Sequence, residues 1–344
     1  YEDYPEVERV ATPKFGLIYS PISDVTLSAT WGRSFRAPTL SQQFGAQTVN
    51  YNLASRYGAT GVPANAAALL LTGANEDLRP ERSTNWTATF ALEPSWLPGA
   101  RVEIGYFDID YTDRLADPIT PFSASFSNPA FAEFITFSPT PAQIQAAIAF
   151  ATSGAINNLS GQTVNLANII AIIDARITNV AKQRARGVDF SAQYQADIGA
   201  AGRLTTSIRV SYIDLERQVS EFQPVIQLAG RIFQPPHWRG RGSVTWNRGG
   251  LTLAAHTNYT DSLEDVRTAN IYSIDSRVTF DLFGSYRFRP SFVPEGVNLS
   301  LAVINVLNTK PPRITNVNPS ITPFDSTNYT AIGRNVTFSV GVAF

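Results

Sequence analysis

The chain ends in the stretch from Asn335 to Phe344, NVTFSVGVAF, in which apolar residues alternate with small or polar ones. Successive side chains of a β-strand point to opposite faces of a sheet, so this period of two predicts a strand with one oily face. A tilted strand crosses a bilayer in roughly 9 to 11 residues, and this stretch has that length. The oily face carries Val336, Phe338, Val340, Val342 and Phe344.

Six earlier segments repeat the alternation, and they favour an all-β membrane protein. Hydrophobic residues make up 44% of the chain and charged residues 16%, yet no run of about 18 apolar residues predicts a membrane helix. We therefore predict a transmembrane antiparallel up-and-down β-barrel, with an ordinary secreted all-β protein as the alternative. The six segments are residues 25–31, 86–92, 188–194, 204–212, 278–288 and 297–303. The side chains expected on the convex, lipid-facing side include Phe15, Leu17, Trp86, Phe90, Phe280, Leu282, Phe338 and Val340.

The predicted connections alternate strictly between short and long. Outer-membrane barrels have short periplasmic turns and long extracellular loops, so we expect the long connections to be extracellular. In a compact soluble domain, short and long connections are not expected to alternate in this way. The short links fall near residues 20–24, 95–99, 198–202, 247–250 and 289–296, and the long loops near 37–83, 113–178, 218–236, 261–275 and 307–332.

Counting back from the last strand predicts about eleven strands. The alternation directs both the last strand and the first, Lys14 to Ser20, toward the periplasm. Because a complete barrel of this kind begins and ends in the periplasm, we expect residues 1–344 to be the C-terminal half of a barrel whose N-terminal strands are absent. Within the second long loop, Pro141 to Ala151 predicts a short helix, and Asn168 to Arg176 predicts a second helix or a strand extension.

Composition excludes several classes of function. The net charge of -1 gives no basic face for nucleic acid. Zero Cys and two His exclude disulfide scaffolds, thiolate zinc sites and nearly all histidine metal sites, so we expect no metal and no cofactor. No Gly-x-Ser-x-Gly elbow occurs, and neither His237 nor His256 has a nucleophile nearby in sequence, so we do not expect an enzyme. The chain has no Met and no signal peptide at Tyr1, which indicates a mature or truncated chain.

Five motifs make the chain resemble the TonB-dependent receptors over nearly its whole length. Each motif is weak alone, but their order and spacing together form a specific signal. They lie where a strand leaves the membrane into a long loop or where the chain returns from one. The motifs are Gly32–Leu40 (GRSFRAPTL), Asn75–Glu81 (NEDLRPE), Tyr106–Tyr111 (YFDIDY), Asn179–Asp189 (NVAKQRARGVD) and Asn305–Pro312 (NVLNTKPP), the last followed by Gly333, Arg334 and terminal Phe344.

This resemblance implies a monomeric receptor-transporter in the bacterial outer membrane. The family has a 22-stranded barrel and a plug domain whose TonB box receives energy from the TonB complex, and neither plug nor box is in this sequence. The substrate would be an iron siderophore, cobalamin or an oligosaccharide, and the alternative is a passive porin-like or structural barrel. The family's barrel-assembly machinery would read the terminal pattern of Phe338, Val340, Val342 and Phe344.

Two groups of cations are candidate contact residues. Trp238, Val244 and Trp246 are expected to face lipid, so the alternation places Arg239 and Arg241 in the lumen near its outer mouth. Their two guanidiniums either bind a planar anion of the substrate or pair with carboxylates of the plug or lumen. His256 is a weaker lumen candidate of the same kind. The other group, Lys182, Arg184 and Arg186, shares parity with lipid-facing Val188 and Phe190. These three side chains either snorkel on a solvated rim or bind phosphates of outer-membrane lipids.

Overall fold

A broad antiparallel sheet dominates the computed structural model, which describes residues 2–4, 8–268, 270–289, 296–314 and 322–342. Within these residues, eleven strands lie side by side in chain order, as the sequence predicts. The first and last of them do not pair with each other, so the sheet is a partial barrel. The strands are β1 (Lys14–Ile22), β2 (Val25–Arg36), β3 (Glu81–Leu92), β4 (Ala100–Ala116), β5 (Thr178–Asp197), β6 (Arg203–Gln218), β7 (Trp238–Arg248), β8 (Leu251–Thr260), β9 (Arg277–Phe288), β10 (Val297–Ile304) and β11 (Asn335–Val342).

One side of this sheet, which we call the apolar face, carries hydrophobic side chains from β1 to β11. Cross-strand pairing sets Phe15 beside Trp31 and Trp31 beside Trp86, and at the other edge it sets Leu301 beside Phe338. Because side chains alternate along every strand, the opposite side, the polar face, collects Ser, Thr, Asn and charged residues. The side chains that the sequence places together do share the apolar face, and they are 36% to 67% exposed: Phe15, Leu17, Trp86, Phe90, Phe280, Leu282, Phe338 and Val340.

The connections between consecutive strands are short at one end of the sheet and long at the other. The two shortest links have two residues each, Ser23-Asp24 and Gly249-Gly250, and Gly249 has a φ of 56° that favours glycine. The second long loop begins at residue 117, four residues later than the sequence pattern suggests, because β4 continues to Ala116. We name the long loops A (37–80), B (117–177), C (219–237), D (261–276) and E (305–334).

Loops A and B fold together into a module with its own sheet. Its strands pair in both directions, and Ala67–Gly73 runs parallel to Ile169–Asp174 although about 100 residues separate them. Hydrophobic side chains are buried on both faces of this sheet. The module contains the strands Gln47–Leu53, Ala67–Gly73, Ile135–Phe137, Asn157–Asn158 and Ile169–Asp174, and the helices α1 (Leu40–Phe44) and α2 (Pro141–Ala149).

Helix α2 is the short helix that the sequence predicts within Pro141 to Ala151. Thr140 and Gln143 form a capping box at its N-terminus, which satisfies backbone donors that a helix start leaves free. The other predicted segment, Asn168 to Arg176, is not a helix, because its apolar side chains fill the loop module as the strand Ile169–Asp174.

The buried hydrophobic core lies mainly in the loops. Of the four buried clusters in the described chain, three consist of loop residues, and the fourth packs loop C against Leu215 of β6. One of the loop clusters joins Ile232, Leu263, Ile274 and Tyr329 from loops C, D and E. The apolar face of the sheet therefore has no protein layer covering it in the described structure.

The remaining elements are short. The hairpin Leu263–Asp265 and Tyr272–Ile274 belongs to loop D, and Ile226–Gln227 of loop C pairs with β6. Near the start of the chain, Glu2–Tyr4 pairs antiparallel with Glu8–Val10. The 3-10 helices are Ala54–Tyr57, Phe122–Ala124, Pro129–Phe134, Leu166–Asn168 and Gly199–Ala201. No helix of the described chain is long and apolar enough to span a membrane.

Candidate functional site

The polar face holds the candidate site at its long-loop end. Hydroxyl pairs bridge neighbouring strands along this face: Thr30 to Thr87 at 2.6 Å and Ser207 to Ser243 at 2.7 Å between oxygens. These cross-strand bonds satisfy polar groups without burying them in a core. Among the described residues, one cavity opens on this face over β2 to β5 and another over β4 to β7.

The first cavity, which we call the Gln183 cavity, has a volume of about 590 Å³. Glu81 closes one side of it, because its Oε2 accepts from the Nε of Arg36 at 2.5 Å and its Oε1 accepts from the backbone N–H of Leu115 at 2.8 Å. Arg114 also lines the cavity and donates to Oε1 of Gln183. The remaining lining is rich in hydroxyl and amide groups, with Ser34, Ser83, Asn85 and Tyr111.

The second cavity, the Arg239 cavity, has a volume of about 440 Å³. It combines a cation, Arg239, with a carboxylate, Asp189, and an aromatic ring, Phe107. Loop E forms part of its wall, since Asn328 accepts a hydrogen bond from Arg239 at 2.5 Å. Asn328 also donates to the backbone carbonyl of Gln234, so one side chain ties loops C and E to the site.

The three predicted lumen residues all lie on the polar face, though not in one pocket. Arg241 is exposed and directly opposite Arg209 of β6. His256 is half-buried between Ser243 and Asp281, and its Nδ1 has no hydrogen-bond partner among the described residues. Arg239 lines the second cavity of this face, whereas His256 lines a different, mostly apolar cavity over β4 to β9. Contact of these side chains with a ligand stays a prediction.

Lys182, Arg184 and Arg186 have the parity of the apolar face, beyond its oily band. Nη2 of Arg184 lies 2.6 Å from Asp108 on β4, and Nη2 of Arg186 lies 2.7 Å from Asp214 on β6. Ion pairs of this exposed kind contribute little to stability, because water and salt screen the charges. Two of the three cations therefore already have carboxylate partners, and their contact with lipid phosphates stays a prediction.

The terminal pattern lies in β11, the edge strand of the sheet. Phe338 is opposite Leu301 and Val340 is opposite Leu299, so both belong to the apolar face. Val342 ends the strand with the same parity. Phe344 lies outside the described residues. Recognition of this pattern by an assembly machinery stays a prediction.

Sequence reasoning missed Arg114 and Gln183, which line the Gln183 cavity, and Arg217 of β6, which is the cross-strand partner of Gln183. Strand alternation runs evenly to Tyr111, but Asp113 then adopts a positive φ of 53° and the pairing of β4 with β5 shifts register. A bulge of this kind re-aims the next side chain, so the position of Arg114 does not follow from parity. Positive φ also explains the motif Asn305–Pro312, since Asn305 and Asn308 have φ values of 53° and 55°, which Asn tolerates better than most residues.

Comparison with known proteins identifies both a family and a set of similar folds. The family model described as "TonB dependent receptor-like, beta-barrel" matches residues 1–306. No curated protein matches the chain.

Several solved structures share the fold. A mutant of the ferric enterobactin receptor from Pseudomonas aeruginosa is 15% identical with a TM-score of 0.61, and covers 97% of this chain and 40% of its own. The siderophore receptor PirA from Acinetobacter baumannii is 15% identical with a TM-score of 0.64, covering 99% and 42%. The FrpB iron transporter from Neisseria meningitidis is 16% identical with a TM-score of 0.53, covering 96% and 38%. The chain thus spans about 40% of the length of these structures, and the likeness establishes the fold.

Proposed function

The chain belongs to the TonB-dependent receptor-like β-barrel family, and from this premise we propose that it forms barrel wall and loops of an outer-membrane receptor for energised nutrient uptake. In this proposal the long loops are extracellular, and a plug domain outside this sequence couples uptake to the TonB complex. The receptor acts as a monomer.

The observation that carries the proposal is the pair of cavities on the polar face. Both lie at the long-loop end, and each contains an arginine beside hydroxyl or amide groups: Arg114 in the Gln183 cavity and Arg239 in the Arg239 cavity. A polar face inside a barrel can hold a ligand only where side chains converge, as they do here.

The membrane location is supported by aromatic side chains at both ends of the apolar face. Outer-membrane barrels carry such girdles where lipid meets water. Trp238 and Trp246 mark the two ends of β7, and both rings share the apolar face. Tyr212 packs against Trp238 with ring centroids 4.8 Å apart on the long-loop side. Outer-membrane lipids are therefore the proposed neighbours of this face.

An anionic iron chelate is the substrate class that the cavities favour. Guanidinium groups bind planar oxyanions through paired hydrogen bonds, and siderophores present such oxygens. The similar folds include proteins named as ferric enterobactin and siderophore receptors. Cobalamin and neutral oligosaccharides offer these arginines less charge to bind.

A deletion strain tests the proposal on a panel of iron and carbon sources. We expect the full-length gene to restore growth on at least one chelated iron source, and only in cells that have TonB. Growth restored equally without TonB would instead establish the alternative, a passive porin-like barrel. Restoration by a carbon source alone would overturn the iron chelate and favour an oligosaccharide.

A further inference from the structure

Arg217 is a half-buried cation on the polar face, and the described residues supply no acceptor for its Nε. It is the penultimate residue of β6, and its Nε is buried without a hydrogen-bond partner in the described chain. No carboxylate of the described residues lies within ion-pair distance of it. Buried donors in native proteins are nearly always paired, so this one indicates a partner from outside the described chain.

The neighbours of Arg217 do not supply that partner. Glu216 and Gln218 flank it in sequence, but strand alternation directs both to the apolar face. Its cross-strand partner is Gln183, whose Oε1 already accepts a hydrogen bond from Arg114. Arg114 and Arg217 thus flank the same side chain, since Arg114 donates to Gln183 and Gln183 lies directly opposite Arg217. The two guanidiniums and the amide between them therefore form a cationic group that needs an anion.

Uncharged hydrogen-bonding groups continue the same row across the sheet. Ser34, Ser83, Tyr111, Gln183 and Arg217 are successive cross-strand partners on β2 to β6. The hydroxyls of the two serines are 2.7 Å apart, and these serines, the tyrosine and the glutamine line the Gln183 cavity. This row offers a ligand one charged end and several neutral oxygen contacts.

The carboxylate of this cavity is not free to neutralise Arg114 and Arg217. Both oxygens of Glu81 are used, one by Arg36 and the other by the backbone of Leu115. Glu81 is 7% exposed, so its side chain cannot swing toward β6 without breaking these bonds. The positive charge at the row's end is thus built into the fold.

We propose that Arg114 and Arg217 bind an oxyanion, a carboxylate or a phosphate, of the transported ligand. Gln183 holds Arg114 in place, and the hydroxyls of Ser34, Ser83 and Tyr111 contact the ligand's uncharged oxygens. The fork of a guanidinium matches the planar oxyanion geometry, which an ammonium group does not. The inference rests on the proposed function in taking the anion to belong to the transported ligand.

Calorimetric titration of the full-length receptor in detergent tests this site with two probes, citrate and inorganic phosphate. We expect saturable binding of at least one probe, weakened about ten-fold or more by Arg217→Gln and by Arg114→Gln, because each removes charge-assisted hydrogen bonds. Arg217→Lys keeps the charge but loses the fork, so it should weaken binding less. Arg203→Gln is the matched control, since residue 203 lies on the same face of β6 at its other end.

Two results would overturn the site: a wild-type receptor that binds neither probe, or an Arg217→Gln receptor that binds as tightly as wild type. The first result would mean that another part of the full protein occupies the arginines. Heat-modifiable mobility on gels shows whether each variant is folded. If Arg217→Gln does not fold, Arg217→Lys replaces it as the test of the site. Anion binding in a receptor that restores no TonB-dependent growth would contradict the proposed function and leave this site standing.

Discussion

Asn179 and Arg79 are 100 residues apart in sequence and bind each other through two hydrogen bonds. The backbone N–H of Arg79 donates to Oδ1 of Asn179 at 2.8 Å, and Nδ2 of Asn179 donates back to the carbonyl of Arg79 at 2.8 Å. Nδ2 also donates to the carbonyl of Asp113 at 2.7 Å. One side chain thus joins the end of loop A, the bulge of β4 and the start of β5.

Asn179→Ala should loosen the base of loops A and B. Each lost hydrogen bond costs about 1 kcal/mol, so limited proteolysis within loop B should become roughly ten-fold faster or more. Asn165→Ala is the control, because the side chain of Asn165 caps only a local turn in loop B. Equal cleavage rates in the two variants would show that Asn179 does not hold the loops.

Leu282→Arg should block stable assembly of the barrel. Leu282 lies on the apolar face of β9 and is 49% exposed, and an arginine facing the middle of a bilayer costs about 2 to 4 kcal/mol. Ser285→Arg on the polar face of the same strand should assemble normally. Heat-modifiable mobility in outer-membrane fractions measures both. Normal assembly of the Leu282→Arg variant would contradict the assignment of this face to the membrane.

Deletion of Phe344 should reduce assembly in cells far more than folding in detergent. The terminal residues Phe338, Val340, Val342 and Phe344 resemble the signal that the barrel-assembly machinery recognises. That machinery is present in the cell and absent from a refolding experiment in detergent. The measurement is the amount of heat-modifiable protein in membranes and after refolding into micelles. Equal amounts with and without Phe344 in both settings would refute the prediction.

Replacing Arg239 and Arg241 together with Gln should weaken uptake of an acidic substrate about ten-fold or more, since a charge-assisted hydrogen bond is worth about 1.5 to 3 kcal/mol. Radiolabelled uptake and direct binding both report the change, and the quantity of assembled receptor should stay the same. Unaltered binding by the double variant would leave the two arginines as structural partners of the plug or lumen.

Tyr57 should make the stability of loop A depend on pH in the alkaline range. Burial raises the pKa of Tyr57 from 10.0 to about 12. Because the folded value lies above the unfolded one, the stability contributed by this neutral phenol is fully present below pH 10 and is lost as the pH rises toward 12. A difference titration of phenolate absorbance between wild type and Tyr57→Phe should show one late-ionising tyrosine. Ionisation of that tyrosine near pH 10 would contradict its burial.

Local sequence patterns were sufficient to predict the strands, because the two faces of each strand lie in different environments, one apolar and one polar. Alternation in β9 and β11 follows from one oily and one polar environment, whatever the neighbouring strand is. Helix α2 could be predicted for a similar reason, since Pro141 at its first turn and the capping box of Thr140 act within a few residues. The segment Ile169–Asp174 could not, because a short apolar run fits a helix or a strand equally well until its partners are known.

The sequence by itself determined the barrel class, the number of strands, the apolar face and the alternation of loop lengths, since these follow from the period of two, the composition and the spacing of the strand segments. Only the tertiary structure decided that loops A and B share one sheet, and that Ser34, Tyr111 and Arg217 stand in one row. Those arrangements depend on register between strands far apart in sequence. A shift of one residue at the Asp113 bulge is enough to re-aim Arg114, and no local pattern records that shift.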